Sequence, residues 1–477
     1  MGRLRRAPIF DAVCRGSLTE VESLLKSGKS PDTTLPGCPT PLYQAVQLQH
    51  QDIAVALIKA GCSLQKSKSL LTVAPVLLMA AEFNMKEVVC ELLQRPDCDP
   101  LLQDSKGNTI MHIAVKHENE ELVKMLPRDR YVTRRDDYGQ SPIHIAAEVG
   151  NLAILQILLD MDKTINDFYC KTRTDHISFV SYTQTSKELY SLINLPTLGT
   201  KSTPLHFAAK NYHVDVIDFL LKNGAEVNAI NIHHSTPLHS LCLVGESTSH
   251  ERCIRAAEKL LEAGADYTIP GLYNETAGSP RRRPPSLTPM MVAARRQCPA
   301  LVEVLAERGA DPMTRDEEGR TALMVSLYYG DDQSAAYLLS HHPEGEQTHS
   351  LQDVHGCSCL HYVSSCRHQE GDLTRRLLEQ GYCYHVRKGE NPLQSNYSPL
   401  NSAVAAGKVS VAEVLLDHFP RLLLDLPGEN EAEYPLHAVA HLLETNDHVT
   451  IQMTRLFLSH GADVDKELQG LTPLRWR

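Results

Sequence analysis

The sequence predicts an all-α solenoid of short helix–turn–helix units, and three recurrent patterns carry that prediction. A phrase of the form Thr-Pro-Leu-His-x-Ala-Ala recurs about every 33 residues along a chain of 477 residues. A Gly-Ala-Asp or Gly-Ala-Glu segment and an Asp-x-x-Gly segment recur between copies of the phrase. A fixed period of roughly 20 to 50 residues is typical of repeat architectures, in which each unit buries its apolar face on its neighbours.

The phrase is the predicted first helix of each unit. Its Thr or Ser can cap the helix, because the hydroxyl satisfies an N–H group that has no partner within the first turn. Pro at the first helical position loses no hydrogen bond, and the Leu provides a core contact. Thr174 begins a degenerate copy that divides a step of 62 residues into 33 and 29. The predicted units start at Ala7, Thr40, Pro75, Thr109, Ser141, Thr174, Thr203, Thr236, Thr288, Thr321, Ser358, Ser398 and Tyr434.

A second helix is expected after each phrase, ending at a glycine. In the unit that starts at Thr203, apolar residues recur at helical spacing from Val216 to Leu221, which is typical of a helix with one buried face. Gly224 follows, and glycine tolerates the left-handed backbone that ends a helix. The same stop is predicted at Gly264, Gly309 and Gly461.

Tight turns are expected between the units. An Asp-x-x-Gly segment favours a turn in which the Asp side chain accepts a hydrogen bond from the backbone and the Gly adopts a positive φ. Such segments begin at Asp104, Asp136, Asp316 and Asp353. Each of them is predicted to join two consecutive units.

With these patterns in register, the chain resembles the ankyrin-repeat family over nearly its whole length, from about Ala7 to Trp476. The resemblance implies an all-α stack of helix–turn–helix units with projecting β-hairpin fingers. It also implies that the imidazole at the fourth position of the phrase is a structural hydrogen-bonding group. The chain carries this imidazole as His112, His144, His206, His239, His361 and His437.

The spacing of the phrases divides the chain into two stacks. Residues 1–173 are predicted to form an N-terminal stack of about five repeats, and residues 203–471 a C-terminal stack of about seven. Residues 174–202 form a degenerate repeat or joint, and a bend there is a hypothesis because this repeat should pack less well. Residues 472–477 restart the phrase and are interpreted as a truncated repeat start or a C-terminal cap.

An insertion at residues 271–285, rich in helix-breaking residues, interrupts the C-terminal stack. It places Ser279 before Pro280 and close to Arg281–Arg283. Phosphorylation of Ser279 would partly cancel the positive charge of the three arginines. We interpret the segment as a solvated flexible finger, with a nuclear-import or phospho-regulated docking segment as the alternative.

The family resemblance suggests one further modification site. Ankyrin-repeat proteins can be hydroxylated on an Asn in the turn after the Gly-Ala-Asp or Gly-Ala-Glu segment, and Asn228 has that position. We interpret Asn228 as capping its own turn, with hydroxylation as the alternative.

Composition argues against several classes of function. The chain has 47 basic and 58 acidic residues and a net charge of −11, which argues against a nucleic-acid partner because such proteins present basic surfaces. The 13 cysteines lack a regular spacing, as expected of reduced thiols in a cytoplasmic or nuclear protein. The most apolar window, residues 70–81, is shorter than the roughly 20 residues that span a membrane, so no direct membrane insertion is expected.

A cluster of His and Cys residues has the residue types of a zinc site. The repeat register argues against zinc, since Cys359 replaces the Pro of the phrase and His361 is its His. No enzyme motif is recognised in the sequence, so we expect a non-enzyme with no catalytic residue, metal or cofactor. A metal-dependent enzyme that uses this cluster is a remote alternative. The cluster comprises His355, Cys357, Cys359, His361, Cys366 and His368.

Protein–protein interaction is the expected function. Solenoids bind partners along a concave face lined by first helices and fingers, so we predict a scaffold or adaptor that is itself monomeric. Tyr138 is the expected anchor, because tyrosine offers contact area at a small entropic cost. The predicted partner-binding residues are Lys106, Asp137, Tyr138, His233, His234, Glu317, Glu318 and His355.

Two larger assemblies are alternatives. The chain would then be the substrate-recognition part of a ubiquitin ligase or the cytoplasmic arm of a channel. Both require a further module, and the sequence shows neither a ligase-docking box nor a transmembrane segment.

Overall fold

The computed structural model describes most of the chain, with gaps between consecutive stretches. The described residues are 7–33, 38–64, 75–126, 132–171, 192–243, 250–272, 286–341, 351–365, 371–382, 398–419, 435–441, 447–465 and 472. The chain divides into two compact units, Met1–Asn231 and Ile232–Arg477. The described parts of both units consist of short helices in consecutive pairs.

The first unit contains six helix pairs within its described residues, with a 3₁₀ turn at Leu192–Asn194. The pairs are α1 (Pro8–Cys14) and α2 (Leu18–Lys26), α3 (Pro41–Gln47) and α4 (Gln51–Lys59), α5 (Val76–Glu82) and α6 (Lys86–Leu93), α7 (Ile110–Lys116) and α8 (Glu120–Met125), α9 (Pro142–Val149) and α10 (Leu152–Lys171), and α11 (Pro204–Lys210) and α12 (Val214–Lys222).

The second unit also contains six helix pairs within its described residues, together with two short strands. The pairs are α13 (Pro237–Cys242) and α14 (His250–Glu262), α15 (Pro289–Arg295) and α16 (Pro299–Glu307), α17 (Ala322–Tyr329) and α18 (Asp332–Ser340), α19 (Cys359–Ser365) and α20 (Gly371–Glu379), α21 (Pro399–Ala405) and α22 (Val409–His418), and α23 (Pro435–His441) and α24 (Asp447–Ser459). The strands are β1 (Gly271–Leu272) and β2 (Ser286–Leu287), which pair antiparallel.

The helices begin where the phrase predicts. Ten predicted starts are N-cap residues of first helices: Ala7, Thr40, Pro75, Thr109, Ser141, Thr203, Thr236, Thr288, Thr321 and Ser398. The Thr40 hydroxyl accepts a hydrogen bond from the backbone N–H of Tyr43 at 3.3 Å, and Ser398 accepts one from Asn401 at 3.1 Å. These contacts confirm the predicted capping role. Thr174 and Tyr434 lie outside the described residues.

Glycines end the second helices as predicted. Gly224 follows α12 with φ 93°. Its N–H donates to the Leu221 carbonyl at 3.1 Å, and the Ala225 N–H donates to the Leu220 carbonyl at 3.0 Å. This pair of bonds is a Schellman motif, which satisfies the last carbonyls of the helix. Gly264, Gly309 and Gly461 have φ values of 87°, 95° and 85°.

An aliphatic core runs between neighbouring repeats. First helices pack side by side, as α9 does on α7 and α11, and second helices do the same, as α10 does on α8 and α12. The third residue of the phrase is half-buried in the last repeat, as Leu436. It is at most 3% exposed in eleven others, as Ile9, Leu42, Leu77, Met111, Ile143, Leu205, Leu238, Met290, Leu323, Leu360 and Leu400. The prediction that this position anchors the core is confirmed.

The insertion in the C-terminal stack has its ends held together. Strands β1 and β2 pair Gly271 with Leu287 and Leu272 with Ser286, so the chain leaves and re-enters the repeat at one place. Ser279 and Arg281–Arg283 lie outside the described residues. Residues 172–191 lie outside them too, so the joint and its bend remain a prediction, as do the other domain boundaries.

Candidate protein-interaction surface

The Asp-x-x-Gly segments form the tight turns that the sequence predicts. In the turn at 104–107, the Asp104 carboxylate accepts hydrogen bonds from the N–H groups of Lys106 and Asn108, both at 2.8 Å, and Gly107 has φ 76°. Asp136 accepts in the same way from Tyr138 and Gln140 at 3.0 and 2.7 Å. We call the two central residues of each turn, and their equivalents in variant turns, the finger tips.

Neighbouring finger tips are joined through the backbone. In the first unit, the Asp137 N–H donates to the Lys106 carbonyl at 3.0 Å, and the Leu198 N–H donates to the Gly139 carbonyl at 3.2 Å. Three consecutive tips thus form a hydrogen-bonded row. In the second unit, the Leu272 N–H donates to the backbone carbonyl of His233 at 2.7 Å, and the Val354 N–H donates to the backbone carbonyl of Glu318 at 2.9 Å. The finger tips of each unit are therefore held in fixed register.

The histidine of the phrase ties a helix cap to the next finger. The Ser141 N–H donates to Nδ1 of His144 at 3.1 Å. A nitrogen that accepts from an N–H group carries no proton, so the proton lies on Nε2, which donates to the Leu195 carbonyl at 2.7 Å. Burial lowers the pKa of His144 to about 4, so the ring is neutral.

The same arrangement recurs in other repeats. An N-cap N–H donates to the Nδ1 atom of His112, His206, His239 and His361 at 3.1 to 3.2 Å. Nε2 of His112 donates to the Gln140 carbonyl and Nε2 of His239 to the Leu287 carbonyl, both at 3.2 Å. These contacts confirm the structural role that the resemblance implies. His437 is fully buried in its helix.

Two exposed apolar side chains lie on consecutive finger tips of the first unit. Tyr138 is 69% exposed and Leu198 is 71% exposed. They lie on consecutive tips, and a Cβ atom added at Gly139 would come within 2.7 Å of the Leu198 Cβ atom. Tyr138 was predicted as an anchor, whereas Leu198 was missed because its turn, Thr197 to Lys201, lacks the Asp-x-x-Gly signature.

Basic side chains lie on the same fingers as Tyr138 and Leu198. Nη1 of Arg135 donates to the Gly139 carbonyl at 2.9 Å and to the Pro196 carbonyl at 2.6 Å, which places a guanidinium between the two turns. Lys106, Arg134 and Lys201 are exposed on the same fingers, and Asp137 is exposed as well.

The corresponding tips of the second unit are acidic. Glu317 is exposed and Glu318 is half-buried. Glu318 pairs with Arg320 at 2.9 Å, and the same guanidinium pairs with Asp316 at 2.8 Å. The next tip carries Val354, which is 54% exposed, and the exposed His355.

His233 and His234 lie in a variant turn of the second unit, in which Ile232 and His233 are the central residues. His233 is half-buried and His234 is exposed, and His234 has φ 51° at the position where other tips have glycine. A positive φ is unfavourable for a residue with a Cβ atom. His234 is therefore presented to solvent on a strained backbone.

A group of tyrosines on first helices was missed in the sequence. Tyr328 is 44% exposed, and its ring lies 5.0 Å from that of Tyr329 and 6.0 Å from that of Tyr362. The Arg295 guanidinium lies 4.8 Å from the Tyr329 ring. The consecutive tyrosines at 328 and 329 are a signal for this group in the sequence. Tyrosine is not part of the repeat pattern there, since the phrase that starts at Ser141 has Glu148 at the position of Tyr328.

The Cys and His residues at 355–361 belong to the turn and the first helix of one repeat. Burial raises the pKa of the Cys359 thiol to about 12, and burial with the nearby Asp353 raises that of Cys357 to about 11. Among the described residues, no group of three or more His, Cys, Asp or Glu side chains could hold a metal ion. Cys366 and His368 lie outside the described residues.

Asn228 is half-buried in the turn that follows α12. The Ala229 N–H in that turn donates to the Glu226 carbonyl at 3.2 Å. Hydroxylation of Asn228, like modification of Ser279, remains a prediction. None of the helices in the described ranges is long and apolar enough to cross a membrane.

Comparison with known proteins gives the family. A family model described as ankyrin repeats, in three copies, matches residues 77–168, 180–271 and 272–349. The human transient receptor potential cation channel subfamily A member 1 is 24% identical over 479 residues, which cover 91% of this chain and 37% of that protein.

Two other relatives are similar over shorter stretches. The NAD-dependent deacetylase sir2B of Dictyostelium discoideum is 24% identical over 292 residues, 56% of this chain and 36% of that protein. Human Rabankyrin-5 is 25% identical over 334 residues, 62% of this chain and 27% of that protein. The chain spans less than two fifths of the length of each of these relatives. Because the family model matches more than half of its residues, the chain belongs to the ankyrin-repeat family.

Proposed function

We propose that this protein is a non-enzymatic scaffold or adaptor that binds partner proteins through its finger tips and first helices. Ankyrin repeats are generally protein–protein interaction modules. The observation that supports a binding role for this chain is the adjacent pair Tyr138 and Leu198, each about two-thirds exposed. Large apolar side chains grouped at a surface are typical of interaction sites.

The backbone supports the same role. A binding site gains affinity when its side chains are already held in the bound arrangement, because less conformational entropy is then lost. The bond from the Leu198 N–H to the Gly139 carbonyl at 3.2 Å fixes the two tips relative to each other. Tyrosine and arginine are the residues that most often dominate binding energies at interfaces, and both stand at these tips.

Site-specific photo-cross-linking tests the proposal. A photoreactive amino acid is placed at Tyr138 or at Glu317, and at two exposed positions on second helices, Glu121 and Glu251. We expect discrete cross-linked partner proteins from the two finger-tip positions and none from the two helix positions. Equal cross-linking from all four positions, or none from the finger tips, would contradict the proposal.

A second candidate is the cytoplasmic arm of a channel. The similarity to the human cation channel subunit favours it, because that match covers 91% of the chain. Carbonate extraction of membranes from cells that produce the native gene product tests this candidate. A product that stays in the extracted membrane supports the channel arm, and a product found wholly in the cytoplasmic or nuclear fraction supports the adaptor.

A further inference from the structure

We infer that one finger-tip surface of the first unit docks an acidic peptide segment that carries an apolar side chain. This Tyr138 surface consists of Lys106, Arg134, Tyr138, Leu198 and Lys201. The inference rests on the proposed function and specifies the chemistry of the partner.

The apolar part of the Tyr138 surface is large and fixed in place. Tyr138 and Leu198 are 69% and 71% exposed. Their turns are joined by the bond from the Leu198 N–H to the Gly139 carbonyl and by Arg135, which donates to a carbonyl of each turn. The two turns therefore present both residues to a partner without any rearrangement of the fingers.

The charge of the Tyr138 surface favours a partner that carries carboxylates. Lys106, Arg134 and Lys201 are exposed. Within the described part of these turns, Asp137 has the single exposed carboxylate. Arg135 adds positive charge, because the carbonyl oxygens that it contacts are neutral. A positive patch on a protein of net charge −11 is complementary to carboxylates of a partner, and such complementarity steers association.

The remaining carboxylates of these fingers point inward. Asp104 accepts from Lys106 N–H and from the backbone and side chain of Asn108 at 2.8 to 2.9 Å. Asp136 is only 9% exposed and accepts from two backbone N–H groups. The turns thus satisfy these two carboxylates with hydrogen bonds. Most of the charged side chains that are exposed on these turns are basic.

The finger tips of the second unit differ from the Tyr138 surface in charge. They have the same turn, yet they present Glu317, Glu318 and the exposed Val354 in place of lysine, tyrosine and leucine. An acidic peptide should bind these tips more weakly than the Tyr138 surface, because Glu317 is exposed there beside the single exposed guanidinium of Arg315 on that finger. Matched control variants are therefore placed on second helices, at the exposed Glu251 and Ile451, where they change charge and apolar area without altering the Tyr138 surface.

Fluorescence anisotropy of the full chain with a labelled peptide of alternating Glu and Leu residues tests the inference. We expect saturable binding that weakens as salt is raised, and no binding of the same peptide with Lys in place of Glu. The double variant Lys106→Glu/Lys201→Glu and the double variant Tyr138→Ala/Leu198→Ala should each lose about tenfold or more in affinity. Glu251→Lys and Ile451→Ser, at exposed positions of second helices, should leave it unchanged, and circular dichroism checks that every variant is folded.

Other outcomes would overturn the inference. They are equal binding of the Glu and Lys peptides, equal loss in the control variants, or no binding of the Glu peptide up to about 1 mM. A dimer in analytical ultracentrifugation that Lys201→Glu dissociates would show that a second copy occupies the surface instead. If finger-tip cross-linking still captures partners in any of these cases, the proposed function stands and only the acidic chemistry is wrong.

Discussion

His144 joins two segments of the chain that lie 51 residues apart, because its Nε2 atom donates to the Leu195 carbonyl at 2.7 Å. On its other side, Nδ1 accepts from the Ser141 N–H at 3.1 Å. The imidazole thus satisfies an N-cap donor of one repeat and a carbonyl of the following finger, and it is fully buried. One side chain links the start of α9 to the finger that carries Leu198.

Replacement of this histidine should destabilise the first unit. His144→Ala leaves the Ser141 N–H and the Leu195 carbonyl without these bonds, and each buried polar group left unsatisfied costs about 1 to 3 kcal/mol. We expect the free energy of unfolding in urea to fall by about 2 to 5 kcal/mol. Lys210→Ala, on the exposed side of α11, is the control and should change it by less than about 0.5 kcal/mol. Equal effects of the two variants would refute the linking role.

The same residue should make stability depend on pH. Its pKa in the folded chain is about 4, lowered by burial from an ordinary 6.5, so the unfolded chain binds a proton first as the pH falls. The stabilisation is complete above pH 6.5 and is lost as the pH falls toward about 4. The loss should reach at most about 1.4 kcal/mol per pH unit. Urea denaturation between these pH values should show a shallower loss in His144→Gln, and identical slopes would contradict the assignment.

His460 should show the opposite dependence in the second unit. Both ring nitrogens contact oxygens, since Nδ1 lies 2.9 Å from the Leu456 carbonyl and Nε2 lies 3.1 Å from an Asp417 carboxylate oxygen. These contacts favour the protonated ring, and the Leu456 carbonyl, followed by Asp417, raises the pKa of His460.

The stabilisation from His460 is therefore complete below its ordinary pKa of 6.5 and is lost as the pH rises through the raised value. It should be below about 1 kcal/mol, because Asp417 is exposed and solvent screens the pair. The difference in unfolding free energy between the wild type and His460→Gln should shrink from pH 6 to pH 8, as measured by urea denaturation. A difference that grows over this range would disprove the charged pair.

At Gly224 the energetic cost of a left-handed backbone can be measured without any steric contact of an added side chain. Its φ is 93°, and a Cβ atom added there would meet no atom within 4 Å. Gly224→Ala should therefore destabilise the first unit by about 1 kcal/mol through backbone strain alone, and Gly224→Asn by less, since Asn tolerates this region better. Thermal unfolding measures both. A larger loss for Asn than for Ala would contradict this explanation.

Most of the repeat could be predicted because its signals are local. Thr203 and Pro204 define a helix start within two residues, and Gly224 defines an end. The tip at Leu198 could not be predicted in this way. There the Thr197 hydroxyl accepts from the Ser202 N–H at 3.0 Å, in place of the Asp carboxylate of the other turns, and Lys201 takes the positive φ, 56°, that glycine has elsewhere.

The surface clusters needed the three-dimensional packing of repeats. Tyr138 was predicted as exposed because turn residues lie at the surface. The contact of Tyr328 with Tyr362 joins two repeats at 6.0 Å and depends on how each repeat is rotated on the next. The sequence spacing does not specify that rotation, so the tyrosine group and the pairing of Tyr138 with Leu198 emerged only from the structure.

The affinity of the full chain for a partner captured by finger-tip cross-linking decides whether partners bind at the finger tips. Isothermal titration calorimetry compares the wild type with Tyr138→Ala/Leu198→Ala and with a control double variant on second helices, Glu121→Ala/Glu251→Ala. If partners bind at the finger tips, the first variant weakens binding by about tenfold or more and the control does not change it. Unchanged affinity in Tyr138→Ala/Leu198→Ala, with the fold intact, would contradict the claim.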